Sequence, residues 1–247
     1  MKSIKKYILI LILLTLSSSL LFGGGIINRV TVQFSNFTSI SQNIYVDEDI
    51  NETNYQEIIS LVSDAKQRII DKFGSFSSNP TIIFTSTSEK AKKYGTNDFG
   101  SVVRLPWNQY IVFGSKGHNI DIVAHELLHA EIGDRLGYII TQFKLPVWID
   151  EGIGMQVDYR KKYIIDFSSV SSNEIERVTS TGTSQIINTN PFWLGGEKQV
   201  IRNYQISKAL VEKILSQNLD KSLYSMLDKI KKGESAENVF YYYQTQH

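Results

Sequence analysis

The chain has 247 residues, and its 26 Lys and Arg residues nearly balance its 25 Asp and Glu residues. This balance gives no sign of a nucleic acid, an anionic membrane surface or a generally acidic substrate as partner, so recognition must come from a local site. The absence of cysteine excludes disulfides, thiolate metal ligands and a cysteine nucleophile.

The N-terminus carries the pattern of an export signal. Lys2, Lys5 and Lys6 precede an apolar run over residues 7–22. A positive start followed by an apolar run is typical of a signal peptide, and the run also approaches the length of a membrane span. Three lysines at the very start argue against the alternative of a buried core helix.

Two interpretations of this segment stay open. Residues 1–25 form either a signal peptide or an N-terminal membrane anchor, with anchoring through residues 4–22. Because the lysines would stay on the cytoplasmic side, either interpretation predicts an extracytoplasmic protein, secreted or anchored to the membrane. Residues 26–247 would then form one domain.

Beyond the glycines, apolar spacing and turn residues predict a mixture of short strands and helices. A stretch at 170–190 is rich in Ser, Thr and Asn without a clear period, and we expect loops or a flap there. In chain order the predicted elements are strands at residues 30–34 and 43–46, a helix at 55–73, a strand at 81–85, a helix at 88–94, a hairpin of strands at 101–105 and 110–113, a helix at 119–132, a helix from about 146, and helices at 199–217, 219–230 and 235–243.

The helix at 119–132 carries the sequence His-Glu-Leu-Leu-His over residues 125–129, with Asn119 or Asp121 available as its N-cap and Gly133 placed to end it. On a helix, residues four apart are separated by about 6 Å along the axis and about 40° around it. The two imidazoles can therefore face one metal ion.

Glu126 lies about 100° around the helix from His125, which places it beside such an ion rather than on it. From there a carboxylate can act as general base on a water molecule and return the proton to a leaving amine. Chance is a poor explanation for the motif, since 4 His and 13 Glu residues would produce it roughly 0.003 times in a random chain of this length.

A third ligand is needed, and Glu151 in Trp148-Ile-Asp-Glu-Gly152 is the best candidate, with Asp150 as the alternative. A Trp-x-x-Glu-Gly segment about 20 residues after His-Glu-x-x-His resembles the gluzincins, the peptidase MA-like zinc metallopeptidases, over residues 111–159. The resemblance implies that His125, His129 and Glu151 bind one Zn²⁺ ion. Gly152 and Gly154 would allow close packing beside the metal helix.

The resemblance extends more loosely to residues 202–207, where similar peptidases carry a Tyr or His that donates a hydrogen bond to the tetrahedral oxyanion. It implies that Tyr204 is catalytic together with Glu126. The strand at 110–113 resembles the edge strand along which zincins bind an extended peptide, although it can equally be a core strand. His118 could approach the site, and Asp121 or Asp134 could accept a hydrogen bond from a metal-bound imidazole.

Three family features are missing: the Gly-x-Met-Glu-Asn segment of the aminopeptidases, the Glu-x-x-x-Asp motif of thermolysin-like enzymes, and the third histidine of the metzincins. The sequence therefore predicts a minimal gluzincin that hydrolyses peptide bonds as an endopeptidase. Its expected fold class is α+β and zincin-like, with a small mixed sheet packed on the metal helix and a mostly helical C-terminal lobe.

Two other functions fit part of the pattern. A non-catalytic surface or envelope binding module could use the same fold, although it would not need Glu126 as a base. A metal-dependent hydrolase of small molecules would need a closed pit instead of an open groove. His and carboxylate ligands also accept other divalent transition metals, and zinc is favoured by the expected catalytic geometry. The expected partner is a peptide or protein substrate, with no nucleic acid.

Overall fold

The computed structural model of the chain describes residues 25–185, 189–217 and 222–241. It has an α+β architecture with one mixed sheet of five strands: β1 Thr38–Ser41, β2 Ile44–Val46, β3 Thr81–Phe84, β4 Gly100–Arg104 and β5 Gln109–Phe113. The α-helices are α1 Gly25–Val30, α2 Tyr55–Phe73, α3 Ser88–Lys93, α4 Ile120–Leu136, α5 Tyr138–Phe143, α6 Val147–Gly154, α7 Ser172–Thr179, α8 Glu197–Ser216, α9 Leu223–Lys231 and α10 Ala236–Tyr241.

The strand order is β1-β2-β3-β5-β4, with parallel β2–β3 and β3–β5 pairs and antiparallel pairs at the two edges. The predicted hairpin is confirmed, since β4 pairs with β5 in antiparallel register. The proposed role of residues 110–113 as an edge strand is wrong, because β5 lies between β3 and β4. The edge beside the metal helix belongs to β4, which packs on α4.

A large apolar cluster packs on the inner face of the sheet and a small one on its outer face. Alternate strand residues such as Ile111 and Phe113 join the main core with α2 and α4 on the inner face. Ile83 and Val112 point the other way and pack with Val32 and Tyr94 on the outer face. Period-two alternation thus places both faces of β3 and β5 in apolar surroundings, which explains their near-continuous apolar sequences.

Helix α4 is the centre of the molecule and packs against α2, α6, β4 and β5. Its N-cap is Asn119, as predicted, whose side chain accepts a hydrogen bond from the backbone N–H of Asp121. Gly133 does not end the helix, which continues to Leu136 and ends at Gly137, where φ is +81°. Gly133 instead lies close to other side chains, because a Cβ there would come within 2.3 Å of Gln109 Oε1 and 3.0 Å of Arg104 Nε, so that these side chains would have to shift.

Helix α6 begins directly after Pro146, as predicted, and all its residues are buried between α4 and α8. The predicted helices at 55–73, 88–94 and 199–217 are confirmed with end shifts of one or two residues. The last two predicted helices correspond to α9 and α10, with residues 218–221 and 242–247 outside the described residues.

Two predicted elements are wrong. Residues 30–34 are not a strand but the end of α1 and a short 3₁₀ turn, Val32–Phe34, because Val32 covers the outer apolar cluster instead of joining the sheet. The stretch at 170–190 contains α7, whose Ser171 and Glu174 form a reciprocal capping box. The capping box stabilises the start of this helix. Val178 is the one fully buried residue of α7, so the helix needs no repeating apolar face, and the sequence therefore shows no apolar period.

The predicted localisation is corrected. Among residues 25–185, 189–217 and 222–241, no helix is both long and apolar enough to cross a membrane, so anchoring through the N-terminal apolar segment has no support in the structure. Residues 4–22 themselves, and with them the signal-or-anchor prediction for residues 1–25, lie outside the described residues except for Gly25, which begins α1.

Candidate metal centre

The three predicted ligands meet at one point between α4 and α6. The Nε2 atoms of His125 and His129 lie 3.0 Å apart, and Glu151 Oε2 lies 3.3 Å from the first and 3.4 Å from the second. All three side chains are buried. The two imidazoles come from successive turns of α4, as the four-residue spacing requires, and the carboxylate comes from the adjacent helix.

The separations fit ligand atoms around a shared cation. Ligands at about 2.0–2.2 Å from a tetrahedral zinc ion are about 3.4 Å from one another. The histidine–carboxylate distances of 3.3 and 3.4 Å exceed those of direct charge-assisted hydrogen bonds, which are about 2.7–2.9 Å. Two imidazoles and one carboxylate are also the donor set of a catalytic zinc site with an open fourth position. The residues present therefore fit the metal.

The local electrostatics favour positive charge at the same point. Burial by itself would lower the pKa of His129, but the Asp150 and Glu151 carboxylates raise it to about 10. Burial would raise the pKa of Glu151, whereas His129 and His125 lower it to about 2. A divalent ion can take the place of the imidazole proton, because metal binding to such ligands releases protons.

Asp150 lies outside the candidate ligand group and contacts one of its members, His129. Its Oδ1 lies 2.9 Å from His129 Nδ1, on the side of the ring away from the ligand group. Arg104 donates two hydrogen bonds to the same carboxylate, at 2.8 and 3.0 Å, and another to the backbone carbonyl of His129 at 2.9 Å. Burial would raise the pKa of Asp150, but Arg104 and His129 hold it well below its usual range. Asp150 thereby fixes the tautomer that leaves His129 Nε2 free for the metal.

Glu126 lies beside the ligand group and outside it. The side chain lines the cleft above the imidazoles and is 9% exposed. It sits under Gly100 of β4, where a Cβ would come within 3.3 Å of Glu126 Cγ. The predicted general base thus lines the same cleft as the candidate ligands without belonging to their group.

Gly154 brings the backbone of α6 against the imidazoles. A Cβ at this position would come within 2.9 Å of His125 Cε1 and 3.1 Å of His129 Nε2. The predicted role of Gly154 in close packing beside the metal helix is confirmed. Gly152 has a different role, because its Cβ would meet Ser207 O and Val211 Cγ2 of α8 instead.

A cleft of about 920 Å³ runs over the ligand group. One wall is β4 and its flanking residues, whose outer edge has no partner strand among the described residues. The opposite wall includes Tyr163, Trp193 and Tyr204. The residues that line the cleft reach from α1 to α5 and include the edge strand β4.

Tyr204 lies across the cleft from β4, with its ring centroid 6.4 Å from that of His125. Trp193 Nε1 donates a hydrogen bond to the Tyr204 hydroxyl at 3.3 Å, which leaves the hydroxyl proton free to donate. Burial and the nearby Glu151 carboxylate raise the pKa of Tyr204 well above its usual value. The hydroxyl therefore stays protonated near neutral pH.

Three residues considered from the sequence lie elsewhere. The His118 ring packs edge-on against Phe84, with centroids 5.1 Å apart, and does not line the cleft. Asp121 pairs with Arg68 at 2.6 Å. Asp134 accepts a hydrogen bond from Ser77 Oγ. Neither aspartate therefore orients an imidazole.

Three arginines line the cleft, Arg29, Arg104 and Arg160, and none of them was expected there from the sequence. A signal for Arg104 was present, since period-two alternation places it on the same inward face as Val102, where a charge needs a partner. Arg29 directly precedes residues 30–34, which were wrongly predicted to form a strand, and no pattern in the sequence indicated its position on α1.

A scan against protein-family models found no match, and a search of the curated proteins found none either. The family resemblance of the motif therefore stays a prediction from the sequence.

Proposed function

We propose that the chain is a zinc-dependent endopeptidase with a gluzincin-like active site in a zincin-like fold. The observation that carries the proposal is the convergence of His125 Nε2, His129 Nε2 and Glu151 Oε2 on one point, with Glu126 beside it. A purely structural zinc site would normally be closed by a fourth protein ligand. No fourth such group joins the cluster among the described residues.

His125, His129 and Glu151 would hold the ion, and Asp150 would orient His129. A bound zinc ion supplies Lewis acidity and lowers the pKa of a water ligand from about 16 to about 7. Glu126 takes a proton from the attacking water and returns it to the leaving amine. The Tyr204 hydroxyl, held by Trp193, donates a hydrogen bond to the oxyanion that develops on the scissile carbonyl.

The shape of the cleft supports a peptide as substrate. The free edge of β4 offers backbone N–H and C=O groups, and an extended peptide can add to it as a further strand. This edge runs past the ligand group, because Gly100 overlies Glu126 and Arg104 contacts His129. A cleft lined by an unpaired strand edge suits an endopeptidase better than a hydrolase of small molecules.

The test is cleavage of a quenched-peptide library by the full-length protein, with and without a zinc chelator. We expect one zinc ion per chain, cleavage that the chelator abolishes and zinc restores, and loss of cleavage in Glu126→Gln with zinc still bound. Asp134→Asn is the matched control, since this exposed acid on the same helix should leave cleavage unchanged. A chain that binds zinc yet cleaves no library peptide would instead support the binding-module alternative.

A further inference from the structure

Arg29 is a buried cation in the cleft wall that the proposed mechanism does not use. It is 1% exposed, on α1, and lines the cleft at the end formed by α1 and the loop after α3. Its Nε donates to Tyr94 O at 2.5 Å, and its Nη2 donates to Gly95 O and Ser101 Oγ at 3.0 Å. Nη1 has no hydrogen-bond partner among the described residues.

These contacts leave the charge of Arg29 without a bonded carboxylate. Its partners are two carbonyls and a hydroxyl, and the Glu126 carboxylate acts on it only through space. Burial lowers the pKa of Arg29 to about 10 in spite of Glu126. A buried guanidinium with an unsatisfied nitrogen is costly, and a carboxylate from a ligand would offset that cost.

None of the acidic residues that line the cleft is available to pair with Arg29. These residues are Glu126, Asp150 and Glu151, each of which already serves the metal centre. Lys92 lines the same end of the cleft as Arg29 and adds a second positive charge. Although the whole chain is nearly neutral, this end of the groove is locally cationic.

The geometry of the sheet determines which side chains of a bound peptide would lie near Arg29. In the β4–β5 pair, Ser101 lies opposite Val112 and therefore points to the outer face of the sheet. Arg29 bonds the Ser101 hydroxyl, so its guanidinium lies at the outer side of the β4 edge. A peptide added to that edge directs alternate side chains to the inner and outer faces. One outward side chain would thus lie beside Arg29.

We propose that Arg29, supported by Lys92, forms a subsite that selects an Asp or Glu side chain in the peptide substrate. The proposal rests on the proposed function for the identity of the ligand as a peptide. The acidic residue lies on the outward-facing side of the bound strand, within a few positions of the scissile bond. Its carboxylate accepts hydrogen bonds from the free Nη1 group of Arg29.

The test measures binding of fluorescent peptides to full-length, zinc-loaded protein carrying Glu126→Gln, so that no peptide is consumed. The peptides form pairs that differ only by Glu or Gln, with the pair moved along the sequence one position at a time. We expect one position at which the Glu peptide binds about tenfold or more tightly, as one charge-assisted contact implies. Arg29→Met should bring that ratio close to one, while Lys116→Gln should not change it. Lys116 is an exposed lysine that pairs with Asp98 and does not line the cleft.

Absence of a Glu preference at every position would overturn the subsite. So would a preference that persists in folded Arg29→Met protein, since the carboxylate would then bind elsewhere, such as at the metal. If Arg29→Met fails to fold, Lys92→Gln takes its place: a reduced ratio supports the subsite and an unchanged ratio overturns it. Cleavage by the wild-type chain is measured separately. Cleavage without a preference for acidic peptides would support the peptidase and contradict the subsite. A preference for acidic peptides without cleavage would support the subsite and contradict the peptidase.

Discussion

His129 Nδ1 and Asp150 Oδ1 lie 2.9 Å apart, and Arg104 donates hydrogen bonds to both oxygens of the same carboxylate. A chain of contacts thus joins Arg104 on β4 to Asp150 on α6 and to His129 on α4. The carboxylate faces Nδ1 of His129, whereas Nε2 of the same ring faces His125 and Glu151.

Asp150→Asn should weaken zinc binding about 10- to 100-fold, the usual effect of removing the partner of a metal-bound histidine. The amide keeps the shape of the side chain but loses the charge that supports the imidazole. Competition with a chromophoric zinc chelator measures the change. Asp121→Asn is the matched control on α4, and it should leave zinc affinity unaltered.

Arg104 should act on the metal through Asp150. Arg104→Met leaves the Asp150 carboxylate buried without its main cation, so we expect weaker zinc binding and a loss of about 3–5 kcal/mol of folding free energy. In an Asp150→Asn background the same substitution should have a much smaller effect on zinc affinity. Equal effects in both backgrounds would show that Arg104 and Asp150 act independently.

Gly154 and Gly152 form a matched pair on α6. An added methyl group at Gly154 would strike the His125 and His129 rings, whereas one at Gly152 would strike α8. Both Ala substitutions should lower stability by about 1–3 kcal/mol, as overpacking does. Only Gly154→Ala should also lower zinc affinity. Denaturant unfolding of the metal-free protein and zinc titration separate the two effects, and equal zinc affinity in both variants would contradict the role of Gly154.

The sequence was sufficient where chemistry depends on spacing along one element. The four-residue interval predicted that His125 and His129 share one face of α4, and the resemblance to a family singled out Glu151. The structure brings these three side chains together. The sequence was insufficient where a residue's role depends on contacts between segments that are far apart in the chain. Asp150 and Arg104 are 46 residues apart, and neither their contact nor the role of Asp150 follows from local pattern.

The order of the strands in the sheet could not be predicted either, because it also depends on contacts between distant segments. The apolar sequences of β4 and β5 each predict a strand, but only the parallel pairing of β5 with β3 moves β5 inside the sheet and leaves β4 at the edge. Gly133 shows a further ambiguity. A glycine near the end of a helical pattern fits both a C-cap and a close contact, and the contact with Gln109 decides between them.

Glu131 should matter for stability and not for the metal. It is fully buried on α4, accepts backbone hydrogen bonds from Ser77 and Ser78 at 2.8 Å, and pairs with Arg135 at 2.7 Å. Glu131→Gln should cost about 3 kcal/mol of folding free energy, because it removes the charge and turns an amide donor toward other donors. Chemical denaturation measures this loss. The neighbouring Asp134→Asn should change stability by less than about 0.5 kcal/mol.

Tyr204 is expected to act on the transition state more than on substrate binding. Because Trp193 donates to its hydroxyl, the Tyr204 proton is free to bind another acceptor, and Tyr204 lines the cleft. Tyr204→Phe should therefore lower kcat about 100- to 1000-fold with little change in KM, the range seen when one oxyanion donor is removed. Tyr163→Phe is the matched control, since its ring packs on Tyr204 with centroids 5.7 Å apart and also lines the cleft. Steady-state kinetics on one cleaved peptide compares the two. A loss confined to KM, or an equal loss of kcat in Tyr163→Phe, would assign Tyr204 to packing in the aromatic wall and leave the oxyanion without a side-chain donor from α8.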